Sequence, residues 1–170
     1  MVSPESYDET MKPRVYVETP IPSYLTAWPS RDLLRAAQQQ MTREWWDLRA
    51  AFDLFISPLV LVECQAGDPT AAAVRLAAIA GLPLLDQTDA VSALAEELTR
   101  TVPIPPRAAA DAVHIATAAV HGMQYLLTWN CTHLANVVLR PRIEAACRAV
   151  GCEPPLICTP PELPLSEEAP

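Results

Sequence analysis

Short apolar runs with strand character alternate with helical stretches along almost the whole chain, and this alternation decides the fold class. Arg14 to Glu18, Leu54 to Ser57, Leu82 to Leu85, Tyr125 to Trp129 and Leu156 to Cys158 read as strands. A short helix is expected after Pro22. From Ser30 to Phe52, Leu34, Met41, Trp45, Leu48 and Phe52 fall near helical spacing, with Ser30 as the cap. Ser57-Pro58 and Asp68-Pro69 each place a capping side chain before a proline at the first helical position. They open helices that stop at Gly67 and Gly81. Further helices are expected from Thr88 to about Arg100, from Pro106 to Gly122, and from Pro141 to Val150, closed by Gly151. Strands that alternate with helices predict an α/β fold whose mainly parallel sheet, about five strands wide, is covered on both faces.

The chain has 170 residues, a common size for one domain, and 51% of them are hydrophobic. No apolar run is long enough to span a membrane. The start, MVSPESYDETMKPR, lacks the apolar core of a secretory signal, so a cytoplasmic location is expected. Residues 1–10 are polar and aperiodic and read as a disordered extension, with Met11 as an alternative start. Residues 11–161 form the expected domain, and 162–170 an acidic flexible tail. All four glycines follow helices, which leaves none for a phosphate-cradling loop. GxGxxG and GxxxxGK[ST] are both absent, which argues against dinucleotide and nucleoside-triphosphate binding. The five cysteines include no CxxC pair and read as free thiols. Cys131 and His133 invite a zinc reading, but no second close pair completes one.

The net charge of −8 is unusual for a protein that meets nucleic acid. Six of the 20 acids, Glu5, Asp8, Glu9, Glu162, Glu167 and Glu168, lie in the two terminal segments. Without them, 14 acids face 12 bases, and eleven of those bases are arginine, the better fork for phosphate. This balance argues against tight binding of long duplexes but allows a small, local RNA contact. Arg31, Arg35, Arg107, Arg140 and Arg142 are candidates for it.

Four positions carry acidic or amide side chains where an open parallel sheet binds ligands. They are Glu18 in RVYVETPIPSYL, Glu63 in SPLVLVECQAGD, Asp111 in AAADAVHIATAAVHG and Asn130 in YLLTWNCTHLAN. Two carboxylates about 4 Å apart repel by about 4 kcal/mol at an effective dielectric of 20. Acids gathered in that way must bind a cation or protonate. Hard oxygen ligands with open water positions suit Mg²⁺ or Mn²⁺. Singly, Glu18 also reads as a solvated strand end and Asp111 as an acid favoured by a helix dipole. His114, one turn beyond Asp111, reads as a packed or supporting residue rather than a general base. His133 reads equally as a cap, a surface residue or a participant. Ser23 and Thr128 are candidates for orienting water, and the Trp45-Trp46 pair reads as core or partner interface.

In order, YVETPIPSYL, SPLVLVE, GDPTAAAVRLA and DAVHIATAAVHGMQYLLTWNCTHLAN resemble the PIN-domain family, from about Lys12 to Pro161. More narrowly, they are similar to the VapC-type ribonuclease toxins of toxin–antitoxin pairs. The resemblance implies a three-layer α/β/α sandwich and a metal-dependent endoribonuclease. It matches Glu18, Glu63, Asp111 and Asn130 to the family's four metal-site positions. It also implies an RNA substrate, a small antitoxin partner and a homodimer. The chain departs from the pattern at Glu18, where the family usually has Asp, and at Asn130, where Asp is common. A branch of the family with LLTWN carries Asn at that last position. An uncharged fourth ligand implies a weakly held second metal. A PIN-like interaction module with little catalysis is the alternative. A phosphatase on a doubly wound sheet is a weaker one, since Glu18-Thr19-Pro20 does not supply its nucleophile motif.

Overall fold

The computed structural model describes residues 11–163. The expected disordered extension, 1–10, and positions 164–170 of the expected tail lie outside the described residues. In chain order the elements are β1 (Arg14–Val17), α1 (Pro20–Thr26), α2 (Leu33–Asp47), β2 (Asp53–Phe55), α3 (Pro58–Cys64), α4 (Pro69–Ala78), α5 (Asp89–Thr101), α6 (Ala109–Val120), β3 (Tyr125–Leu127), α7 (Arg140–Ala149) and β4 (Leu156–Cys158). Short 3-10 turns fill Arg49–Ala51, Pro106–Ala108 and Pro160–Glu162.

The four strands form one parallel sheet in the order β2-β1-β3-β4. Successive strand residues face opposite sides of a sheet. Val15, Tyr16 and Val17 are all fully buried, as are Leu126 and Leu127. Both faces are therefore covered by helices, and the fold is the expected α/β/α arrangement. From β1 the chain crosses to β2 on one side, while β3 continues to β4 on the other. The direction of winding thus reverses between β1 and β3, and a crevice opens at their carboxyl ends.

The expected fifth strand, Leu82 to Leu85, is reduced to a single parallel bridge between Leu84 and Ile56. Ile56 N donates to Pro83 O and Leu85 N to Ile56 O, but Pro83 has no N–H to extend the ladder. The expected long helix from Ser30 to Phe52 is also shorter. It begins at Leu33 with Asp32 as its cap, whose carboxylate accepts from Arg35 N at 2.8 Å. Ser30 Oγ accepts from Asp32 N instead and shapes the turn before the helix. α1 starts at Pro20, ahead of its expected place after Pro22. The expected caps Ser57, Asp68 and Thr88 do receive the backbone N–H groups of Val60, Ala71 and Val91. The glycines end helices as expected, with φ of 85° at Gly67 and 65° at Gly122, where a side chain would be strained.

Order persists past the expected boundary at 161. Glu162 accepts from both Thr159 N and Thr159 Oγ1, and Leu163 is buried. The Trp45 indole donates to Leu163 O at 3.1 Å. Trp45 and Trp46 are core, with Trp45 stacked on Phe52. Leu34 remains exposed and Met41 half-buried.

Candidate metal centre

Glu18 follows β1, and its amide extends the sheet by donating to Leu127 O. The residue is only 4% exposed at the crevice between β1 and β3. A buried carboxylate needs partners. Thr128, the residue after β3, supplies one: its Oγ1 donates to Glu18 Oε2 at 2.6 Å. The other Glu18 oxygen lies 3.5 Å from His114 Nε2. Burial is the largest influence on this carboxyl and pushes it up to about 7; His114 and the Thr128 hydrogen bond pull the other way.

Glu63 comes from the last turn of α3 and is half-buried. Its Oε2 lies 3.0 Å from His114 Nε2 and also accepts from Thr19 Oγ1. Thr19 occupies the cap position of α1 without capping it, because its hydroxyl is turned to Glu63. Burial works to raise the Glu63 carboxyl, but the His114 hydrogen bond and charge, with Thr19, outweigh it and hold the group below its ordinary value.

His114 is fully buried in the middle of α6. Burial alone would lower its pKa, yet Glu63, Glu18 and Asp111 together raise it. Its Nδ1 is 2.7 Å from the Tyr16 hydroxyl, which is 2.7 Å from Ser57 Oγ. Glu18, Glu63 and His114 each offer a ligand atom within 4.8 Å of the others. Two carboxylates and an imidazole in this arrangement can hold a metal ion. They converge from the ends of a strand and a helix and from the middle of a second helix, none adjacent in sequence.

The other two sequence candidates are placed differently. Asp111 opens α6, and its Oδ2 pairs with His133 Nδ1 at 2.7 Å. Its charge still acts on Glu18 and His114. Asn130 lies past β3, its N–H donating to Thr128 Oγ1 and its Oδ1 accepting from His133 N at 3.1 Å. Asn130 therefore shapes the loop, while His133 bridges that loop to Asp111. Thr128 sits under the centre, bonding both Glu18 and Asn130 N; Ser23 lines the open cleft with Glu18, Thr19, Tyr24 and Glu63. Cys131 is exposed and free, His133 pairs with Asp111, and neither belongs to the cluster of three ligating side chains found among the described residues. His114 is the member of the centre that sequence reasoning placed only in support. The available signal was its spacing: three residues from Asp111, it shares a helix face with that acid.

No protein-family model matches this chain, and no curated protein matches it in sequence.

Proposed function

We propose that the chain is a PIN-type, metal-dependent endoribonuclease that acts as the toxin of a toxin–antitoxin pair. The observation that supports this most is the buried meeting of Glu18, Glu63 and His114 at the carboxyl edge of the parallel sheet. Glu18 and Glu63 would hold the cation, with Asp111 adding negative charge nearby, and the oxygen-rich donor set fits Mg²⁺ or Mn²⁺. When bound, such an ion activates water and offsets charge on a phosphoryl oxygen. The chain's own side chains do the positioning. Thr128 fixes one oxygen of Glu18, Thr19 orients Glu63, and the Asp111–His133–Asn130 link holds the loop after β3 against α6. Trp129 anchors the same loop by donating to Thr42 Oγ1 at 2.7 Å.

Trp28, in the turn between α1 and α2, and Leu33 and Leu34, in the first turn of α2, are exposed at 92%, 87% and 69%. Such surface suits a partner, which supports the homodimer and the small antitoxin of this reading. Arg31 and Arg35, both exposed, flank it and are candidates for phosphate contact. The rival, a PIN-like module that binds without cutting, draws on one observation: Asp111 and the Asn130 carbonyl are already engaged by His133.

The test is incubation with single-stranded RNA in Mn²⁺ or Mg²⁺, in EDTA, and with the Glu63→Gln variant. Cleavage should need the cation and disappear with EDTA and in the variant. Cleavage indifferent to EDTA would overturn the mechanism. Cation binding by a folded protein that never cuts RNA would favour the non-catalytic module.

A further inference from the structure

Tyr16 sits in the middle of β1, fully buried between covered faces of the sheet. Phenylalanine would fill nearly the same space, and a buried hydroxyl costs free energy unless it is hydrogen-bonded. Here the hydroxyl has two partners from two other elements, Ser57 Oγ and His114 Nδ1, each at 2.7 Å. Ser57 is itself fixed as the cap of α3, and His114 stands in the middle of α6. One buried chain of three polar groups therefore ties together the strand that leads into Glu18, the helix that carries Glu63, and His114.

That chain has one arrangement that leaves the far side of the imidazole free for a cation. His114 Nε2 faces both carboxylates, 3.0 Å from Glu63 and 3.5 Å from Glu18. A ring nitrogen ligates a cation only with its lone pair free, which requires the ring proton on Nδ1. A proton on Nδ1 needs a buried acceptor, and the Tyr16 oxygen is placed for it. Tyr16 then donates its own proton to Ser57 Oγ, which also accepts from Val60 N.

We propose that Tyr16, seated on Ser57, is a positioning residue that holds His114 in its Nδ1-protonated form, so that Nε2 joins Glu18 and Glu63 as a nitrogen ligand and the centre prefers manganese to magnesium. The inference rests on reading this cluster as a cation site and adds to it the imidazole and the preference. Magnesium favours all-oxygen surroundings, whereas an imidazole nitrogen suits first-row transition ions better, with manganese the weakest of that series and the nearest to magnesium in its preference for oxygen. Hydrogen-bond partners behind a ligating histidine set its tautomer, and losing one typically weakens metal binding by about 10–100-fold.

The experiment is a Mn²⁺ titration of the full chain followed by electron paramagnetic resonance, with Mg²⁺ as competitor. The unmutated protein should bind Mn²⁺ more tightly than Mg²⁺. Its pulsed spectrum should show coupling to a nitrogen that changes when histidine is isotopically labelled. The coupling should vanish in His114→Gln and persist in His133→Ala. Tyr16→Phe should weaken Mn²⁺ binding by about 10–100-fold and change Mg²⁺ binding far less. Bound Mn²⁺ without nitrogen coupling in the unmutated protein overturns the inference while leaving the cation site standing, and needs no variant to fold. A folded Tyr16→Phe with unchanged Mn²⁺ affinity overturns it too. Failure of the unmutated protein to bind either ion would remove the cation-site reading itself.

Discussion

Replacing Glu18 with glutamine should shift stability in opposite directions with and without a divalent cation. In the metal-free protein Glu18 is 4% exposed, and burial raises its carboxyl from 4.5 to about 7. The unfolded chain loses that proton near its ordinary value, while the folded chain keeps it until the higher one. Between them the folded state binds more protons, so metal-free stability falls as pH rises through this window and is level above it. At about 1.36 kcal/mol per pH unit, the gap amounts to about 3 kcal/mol. Glutamine keeps the shape and can still accept from Thr128 Oγ1, but carries no charge to bury. Its amide nitrogen must fit beside His114 Nε2, so about 3 kcal/mol is a ceiling. In EDTA at about pH 8, Glu18→Gln should therefore melt higher by up to about 6–12 °C, at about 2–4 °C per kcal/mol. Near pH 5 the difference should shrink to little, because the folded parent is then protonated too. Saturating Mn²⁺ should reverse the order, since only the parent keeps the ligand. A cation at about a thousand times its Kd adds about 4.1 kcal/mol to the folded state, more than the gap of about 3 kcal/mol that it must overcome. Thermal melting at the two pH values, with EDTA and with Mn²⁺, reads all four cases. An EDTA difference equal at both pH values would refute the buried charge at Glu18.

The remaining predictions concern the flanks of the centre and the surface. Asp111→Ala should reduce, without abolishing, the rise in Tm produced by Mn²⁺, because its charge acts on Glu18 and His114, and an unchanged metal response would place Asp111 outside the cation's reach. Asn130→Asp should keep its cap on His133 N while adding charge. Cation affinity should hold or rise, and metal-free stability at neutral pH should fall; no metal-dependent difference would put Asn130 outside the site. Glu162→Ala should cost about 1 kcal/mol at neutral pH. The Thr159 hydrogen bonds hold the Glu162 carboxyl below its ordinary value. Its stabilisation is therefore present above the unfolded pKa and lost as pH falls through the folded one; a cost that persists in acid would count against it. Leu34→Glu should disperse any homodimer seen in a mass measurement at micromolar concentration, and a parent that is already monomeric there would count against a dimer through this face.

Much of the fold was legible because its signals are local. Capping by Ser57, Asp68 and Thr88, and helix termination at Gly67 or Gly122, depend on residues within one turn of each other. The alternation of strands and helices, and the burial of both faces of VYV and LL, follow from the same short-range periods. What failed depended on distance. Leu82 to Leu85 has strand composition, but whether a strand forms is decided by its neighbour, and Pro83 offers Ile56 a carbonyl without an N–H. Ser30 and Asp32 are both good caps, and only the path of the chain from α1 selected the second. The acids Glu18 and Glu63 could be named from their places at the ends of elements. Their meeting with His114 could not, nor could the pairing of Asp111 with His133, or of Tyr16 with Ser57 and His114. Those groups are separated by 22 to 98 residues and are joined only when the parallel sheet reverses its winding between β1 and β3. The sequence by itself determined which chemical groups stand at the ends of which elements. The tertiary structure decided which of them share a hydrogen bond, because a contact between distant segments is a property of topology and packing that no local period encodes.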